Sequence, residues 1–144
     1  TLSEWQIYAG TDDCTKKNLI KLFKHIQKGG SQMVIFDIGM NVGQFSLTAR
    51  HIFIEQGISY QIHAFEPNPN VMGRFKLNKS FNEEVNDFLV INNCALGDTV
   101  KTLQLEAPDR NLGAGSVIAD YSGEPNNCYE VNSMTLDQYM LQKN

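Results

Sequence analysis

The sequence predicts an α/β domain whose parallel sheet is wound on both sides by helices. Three observations point there. Short apolar runs rich in β-branched residues alternate with stretches of helical period, a glycine-rich break separates the first such run from its helix, and the order strand, helix, strand, helix, strand repeats across residues 33–98. Right-handed crossovers then make the sheet parallel. With 144 residues, 42% hydrophobic and 19% charged, the chain suits one globular core and is unlike disordered or collagenous sequence.

The elements follow in order. In "TKKNLIKLFKHIQKGG", Leu19, Leu22, Phe23 and Ile26 recur at helical spacing and Gly29-Gly30 supplies a stop, so a leading helix is expected within residues 1–32. Its other face carries Lys16, Lys17, Lys21, Lys24 and Lys28, read as a solvated face on a helix packed against a sheet. "QMVIFDI" is the first strand, buried on both faces. Val42, Phe45, Ala49, Ile52 and Phe53 then mark a helix ended by Gly57. "SYQIHAFEP" is a second strand ending on Glu66. Asn68 as cap and Pro69 at the first position open the next helix. "DFLVINNCALG" is read as a third strand. Beyond it "VKTLQLEA" and "CYEVNSMTL" have no helix between them and are expected to pair antiparallel. The glycine- and asparagine-rich connection between them is long enough to be a functional loop. Thr135 with Gln138 resembles a capping box that starts a last helix.

Charge and cysteine usage narrow the partners. A net charge of −4 gives no long-range attraction to nucleic acid or anionic membrane, so neither is an expected partner. Cys14, Cys94 and Cys128 lack disulfide or zinc spacing, which favours reduced thiols and a cytoplasmic protein. His25, His51 and His63 also lack ligand spacing and read as surface or boundary residues; no metal is expected. No signal-like segment or membrane-spanning apolar run stands out.

The break at Asp37 is the most informative stretch. Glycines between a buried strand and a helix allow a tight turn and close backbone approach by a ligand lying across the helix N-terminus. In a doubly wound sheet that turn lies at the carboxyl ends of the strands, where ligands bind. Glu66 ends the second strand, where a carboxylate accepts hydrogen bonds from both hydroxyls of an adenosine ribose. Gly39 and Gly43 are spaced G-x-x-x-G rather than G-x-G-x-x-G, and no G-K-[ST] follows, so a diphosphate ligand loses support. Asp37 would repel pyrophosphate and suits a cationic ligand such as S-adenosylmethionine.

At this point the sequence resembles class I S-adenosylmethionine-dependent methyltransferases, and among them the FkbM type. "DIGMNVG", "AFEPNP", "CALGD" and "MTLD" match the family's D-x-G-x-N-x-G, A-F-E-P-N-P, A-L-G-D and T-L-D in order, from about Val34 to Asp137. Met40 replaces the usual alanine. The resemblance implies a Rossmann-like doubly wound sheet of the class I methyltransferase type, here incomplete, with an added antiparallel β-hairpin. It also implies S-adenosyl-L-methionine as cofactor. Asp37, Gly39, Met40, Asn41 and Gly43 would surround its methionine end, with Asp37 near the amino group. Glu66 would hold the ribose with Pro67 shaping the turn, and Asn93, Cys94 and Ala95 would border the adenine.

The family's acidic I-K-x-D-x-E-G segment follows T-L-D and is not among these 144 residues. The expectation is therefore a single domain with the leading helix in 1–32, the cofactor-binding unit in 33–98, and a hairpin, loop and helix start in 99–144. It would be the amino-terminal part of a longer domain, with an open sheet edge prone to self-association. The implied reaction is O-methylation of a hydroxyl on a small-molecule or glycan acceptor, with no catalytic residue assigned. The loop around Gly113, Gly115 and Ser116 would close over that acceptor. A noncatalytic S-adenosylmethionine-binding module is the alternative, and a dinucleotide-dependent oxidoreductase a weaker one.

Overall fold

The computed structural model describes residues 13–26, 31–81, 88–108 and 126–143. Its centre is a three-stranded parallel sheet of β1 (Met33–Ile38), β2 (Tyr60–Phe65) and β3 (Leu89–Asn92), in that spatial order. Register runs from Met33 opposite Tyr60 to Ile38 opposite Phe65, and from Ile62 opposite Leu89 to Phe65 opposite Asn92. All three strands therefore end together, at Ile38, Phe65 and Asn92.

Because side chains alternate along a strand, the sheet has two distinct faces. Met33, Ile35, Tyr60, Ile62, Ala64, Leu89 and Ile91 point to one of them. There they join a core with residues of three helices: α1 (Asp13–Ile26), α2 (Gln44–Gln56) and α3 (Pro69–Ser80). Phe23 of α1 packs on Phe53 of α2 at 4.6 Å between ring centroids, and Phe53 stacks on Tyr60 at 5.1 Å. Leu47, Ala49 and Ile52 of α2 and Met72 and Phe75 of α3 complete this core. Lys16 anchors α1 to α2 through a 2.8 Å ion pair with Glu55.

Phe36, His63 and Phe65 point to the opposite face, where Tyr139 of α4 (Leu136–Lys143) covers them. The Tyr139 ring meets Phe65 edge-on at 4.9 Å, and its hydroxyl lies 2.6 Å from His63 Nδ1. Helices thus occupy both faces. β1, expected to be buried on both faces, is instead an outer strand of the sheet among the described residues, with Val34 47% and Ile38 60% exposed.

A second sheet departs from expectation in one respect. Residues 87–97, read as one strand, divide: β3 stops at Asn92, and Ala95–Leu96 forms a separate short strand, β4. β4 runs parallel to β6 (Asn126–Met134), which pairs antiparallel along its length with β5 (Lys101–Pro108). The expected antiparallel hairpin is therefore β5 with β6. Alternation buries Leu105, Ala107, Val131 and Ser133 on its inner face. Asn70 at the start of α3 donates its side-chain amide to the Tyr129 hydroxyl at 2.6 Å, linking α3 to the hairpin.

Local signals match in detail. Gly57 ends α2 in the left-handed conformation, its N–H donating to the carbonyls of Ile54 and Phe53. Asn68 caps α3 by accepting from the Asn70 N–H, with Pro69 at the helix start. Thr135 Oγ1 accepts from the Gln138 N–H at 3.1 Å. Two expectations are corrected. Phe45, assigned to the apolar face of α2, is 39% exposed while its neighbour Ser46 is fully buried. His63, read as a surface or boundary residue, is buried because its ring stacks on Phe36 at 5.1 Å under Tyr139. The Gly29-Gly30 stop and the loop around Gly113, Gly115 and Ser116 lie outside the described residues.

Candidate functional site at the strand ends

The turn after β1 is built by backbone conformation. Gly39, Asn41 and Gly43 have φ of +77°, +53° and +86°. This left-handed region is open to glycine at no steric cost and, among other residues, is tolerated best by asparagine. The N–H groups of Gly39 and Met40 both donate to the Phe65 carbonyl, at 2.9 and 3.0 Å, fastening the turn to the end of β2. Gly43 closes it by donating to Met40 O at 2.9 Å and accepting from Leu47 N–H at the start of α2. A Cβ on Gly43 would stand 2.4 Å from the Phe75 ring, so α3 packs directly on bare backbone.

Glu66 sits where the strand ends converge. Its Oε2 accepts from the Asn41 N–H at 3.1 Å and its Oε1 from the Asn68 N–H at 2.8 Å. Its own N–H donates to Asn92 O at 3.1 Å, and its carbonyl accepts from Asn93 Nδ2 at 2.8 Å. One residue therefore ties together the β1 turn, the end of β3 and the start of α3. The side chain is buried, and burial pushes its carboxyl above the ordinary value against the opposing pull of the two N–H donors. The nearby charge of Asp37 adds a smaller push in the same direction.

Asp37 accepts a 2.5 Å hydrogen bond from the hydroxyl of Ser46, itself buried in the first turns of α2. Burial raises its carboxyl too, outweighing the Ser46 contacts. Two partly desolvated acids that repel each other at a helix N-terminus make an unfavourable seat for pyrophosphate and a favourable one for a cation. Asn41, with its left-handed backbone, lies four residues after Asp37 and donates its N–H to Glu66.

The remaining site residues are disposed unevenly. The Met40 side chain is 3% exposed and belongs to the core, leaving its backbone to the turn. Pro67 is half-buried beside Glu66, and its carbonyl accepts from Asn93 Nδ2 at 3.3 Å. Cys94 is half-buried, and burial pushes its thiol up, away from nucleophilic character. Ala95 has left the parallel sheet and pairs with Ser133. Ser46 was not singled out from sequence as an Asp37 partner, although its place one helical turn beyond Gly43 is the available signal. An open groove of about 570 Å³ lined in part by Lys101, Thr102, Asn132, Gln138 and Leu141 includes none of these site residues. Among the described residues no cluster of three or more His, Cys, Asp or Glu is arranged to hold a metal, and no helix is long and apolar enough to cross a membrane.

Fold and site define an α/β protein that gathers a glycine turn and two acids at the carboxyl ends of parallel strands. Residues 37–144, three quarters of the chain and starting at Asp37 itself, match the family model of the methyltransferase FkbM domain, and the chain belongs to that family. Membership implies use of S-adenosylmethionine. A search of curated proteins finds no match.

Proposed function

We propose that the chain binds S-adenosyl-L-methionine at this site and that its FkbM domain methylates a hydroxyl on a sugar or natural product. The observation that carries the reading is the pairing of Asp37 and Glu66 around the Asn41 turn. A carboxylate offers about four acceptor sites, and Glu66 uses two of them on Asn41 and Asn68, so two suit a ribose diol. Asp37, held by Ser46, suits the cationic methionine end, with the fastened turn of Gly39, Met40 and Gly43 shaping the site around it. Pro67, Asn93, Cys94 and Ala95 form the adenine side of the proposed site.

The cofactor supplies an electrophilic methyl group on a sulfonium. The part of this chain is to fix that end of the ligand so that a hydroxyl oxygen meets it in line, where orientation lowers the barrier most. Fastening of the turn to Phe65 O and of Glu66 to that turn and to the end of β3 supports such rigidity. The proposed class I arrangement, with one domain spanning the chain, is supported by helices on both faces of the parallel sheet. A cytoplasmic setting is part of the proposal and is supported by the free thiols of Cys94 and Cys128.

Calorimetric titration with S-adenosylmethionine, and separately with a nicotinamide dinucleotide, tests the reading. Saturable binding of the first alone supports it. Preferential binding of the dinucleotide overturns it in favour of an oxidoreductase, and tight binding with no methyl transfer to any hydroxyl acceptor points instead to a noncatalytic module.

A further inference from the structure

We infer that Asn93 is a positioning residue that helps set the diol-binding carboxylate, acting through the consecutive peptide carbonyls of Glu66 and Pro67 in the bend after β2. This rests on the S-adenosylmethionine reading above and assigns within it a role different from contact with adenine.

Asn93 follows directly on β3, at the point where the chain leaves the parallel sheet for β4. Its Nδ2 donates to Glu66 O at 2.8 Å and to Pro67 O at 3.3 Å. An amide nitrogen has two N–H donors, so these two bonds use the donor capacity of the group. Both carbonyls follow β2, in the Glu66–Pro67–Asn68 bend that lifts the chain from strand to helix. Glu66 N–H donates to Asn92 O and Asn68 N–H to Glu66 Oε1, so β3 grips this bend at consecutive residues, Asn92 by backbone and Asn93 by side chain. Pro67 has no N–H to give, and its fixed φ leaves the bend few ways to relax. The carboxylate is held at its oxygens by Asn41 and Asn68, and the peptides from which it projects are held by Asn92 O and by one side chain, that of Asn93. Asn93 is exposed and contributes nothing to the core, so its removal perturbs the bend rather than the fold.

The test compares S-adenosylmethionine with its 2′-deoxy analogue by calorimetry in the wild type, Asn93→Ala, Asn93→Asp, Glu66→Gln and the Asn93→Ala/Glu66→Gln double variant, with thermal denaturation alongside. The wild type is expected to prefer the ribose form at least tenfold. Asn93→Ala and the isosteric Asn93→Asp, whose carboxylate faces the two carbonyls, should both cut that preference to about twofold or less while melting within a few degrees of wild type. In the Glu66→Gln background Asn93→Ala should cost little more, because the residue acts through Glu66. Full ribose preference in either Asn93 variant, or fully additive losses in the double variant, overturns the inference. A wild type that binds S-adenosylmethionine without ribose preference, or does not bind it, overturns the underlying reading and this inference with it. If Asn93→Ala unfolds, Asn93→Asp decides the matter; unfolding of both shows a structural role and overturns it as well.

Discussion

The ring of Phe75 in α3 lies where a side chain on Gly43 would begin, its Cδ2 atom 2.4 Å from the position of a Cβ. The turn that opens the proposed cofactor site is thus shaped as much by helix packing behind it as by any ligand in front.

Gly43→Ala should destabilise the protein by roughly 2–4 kcal/mol, combining a left-handed backbone with overpacking against a fully buried ring. Gly39→Ala has a similar φ of +77° but nothing within 4 Å of its Cβ, and should cost only about 1–2 kcal/mol. Urea denaturation of the two variants checks the difference. Equal losses would mean that φ alone, and not Phe75, makes Gly43 a glycine.

Glu66→Ala should weaken S-adenosylmethionine binding more than tenfold, the loss of a charge-assisted contact worth about 1.5–3 kcal/mol. Calorimetry on the folded variant measures it. Unchanged affinity would remove Glu66 from the site.

Asp37 carries a pH signature. Its folded pKa is raised by burial, so the folded state keeps its proton to higher pH than the unfolded state. Stability of the ligand-free protein should therefore fall as pH rises from the ordinary aspartate value through the raised folded one, and level off above it. Asp37→Asn should reduce that slope to the share carried by Glu66, whose carboxyl burial also raises, and raise the melting temperature at neutral pH, while weakening binding of the cationic ligand. Thermal denaturation across pH decides; a lower melting temperature at neutral pH would mean that the Ser46 contact outweighs the desolvation.

Tyr139→Phe should cost about 1–3 kcal/mol, because it leaves the buried Nδ1 of His63 without the hydroxyl that meets it at 2.6 Å. Burial, aided by the charge of Lys143, holds the His63 pKa below the ordinary imidazole value. Wild-type stability should then decrease as pH falls from that ordinary value to the depressed one, since the unfolded chain takes up the proton first. Chemical denaturation over this range measures both effects. A loss below about 0.5 kcal/mol in the variant would show that the hydroxyl contributes little beyond the ring.

How much of this was legible in the sequence depended on how local the cause was. Period and punctuation reveal β1, α2, β2 and α3 because Gly43, Gly57, Asn68 and Pro69 act on their own backbone. Glu66 was legible because its position at a strand end follows from the same local pattern. The division of β3 from β4 was not, because Asn93 turns away to bond carbonyls 26 and 27 residues earlier in the chain. Burial of His63 was hidden for the same reason, its cover arriving from α4. Met40 reads as a turn residue by its neighbours, yet its side chain goes to the core, a choice made by tertiary packing alone.

The Tyr139 cover has a temporal side. It joins His63 from 76 positions further along the chain. At a translation rate of about 5–20 residues per second, His63 and Phe65 would leave the ribosome roughly 4–15 s, and Phe36 roughly 5–20 s, before the helix that shields them. During that interval the nascent sheet presents an aromatic surface that is covered only when α4 docks on it.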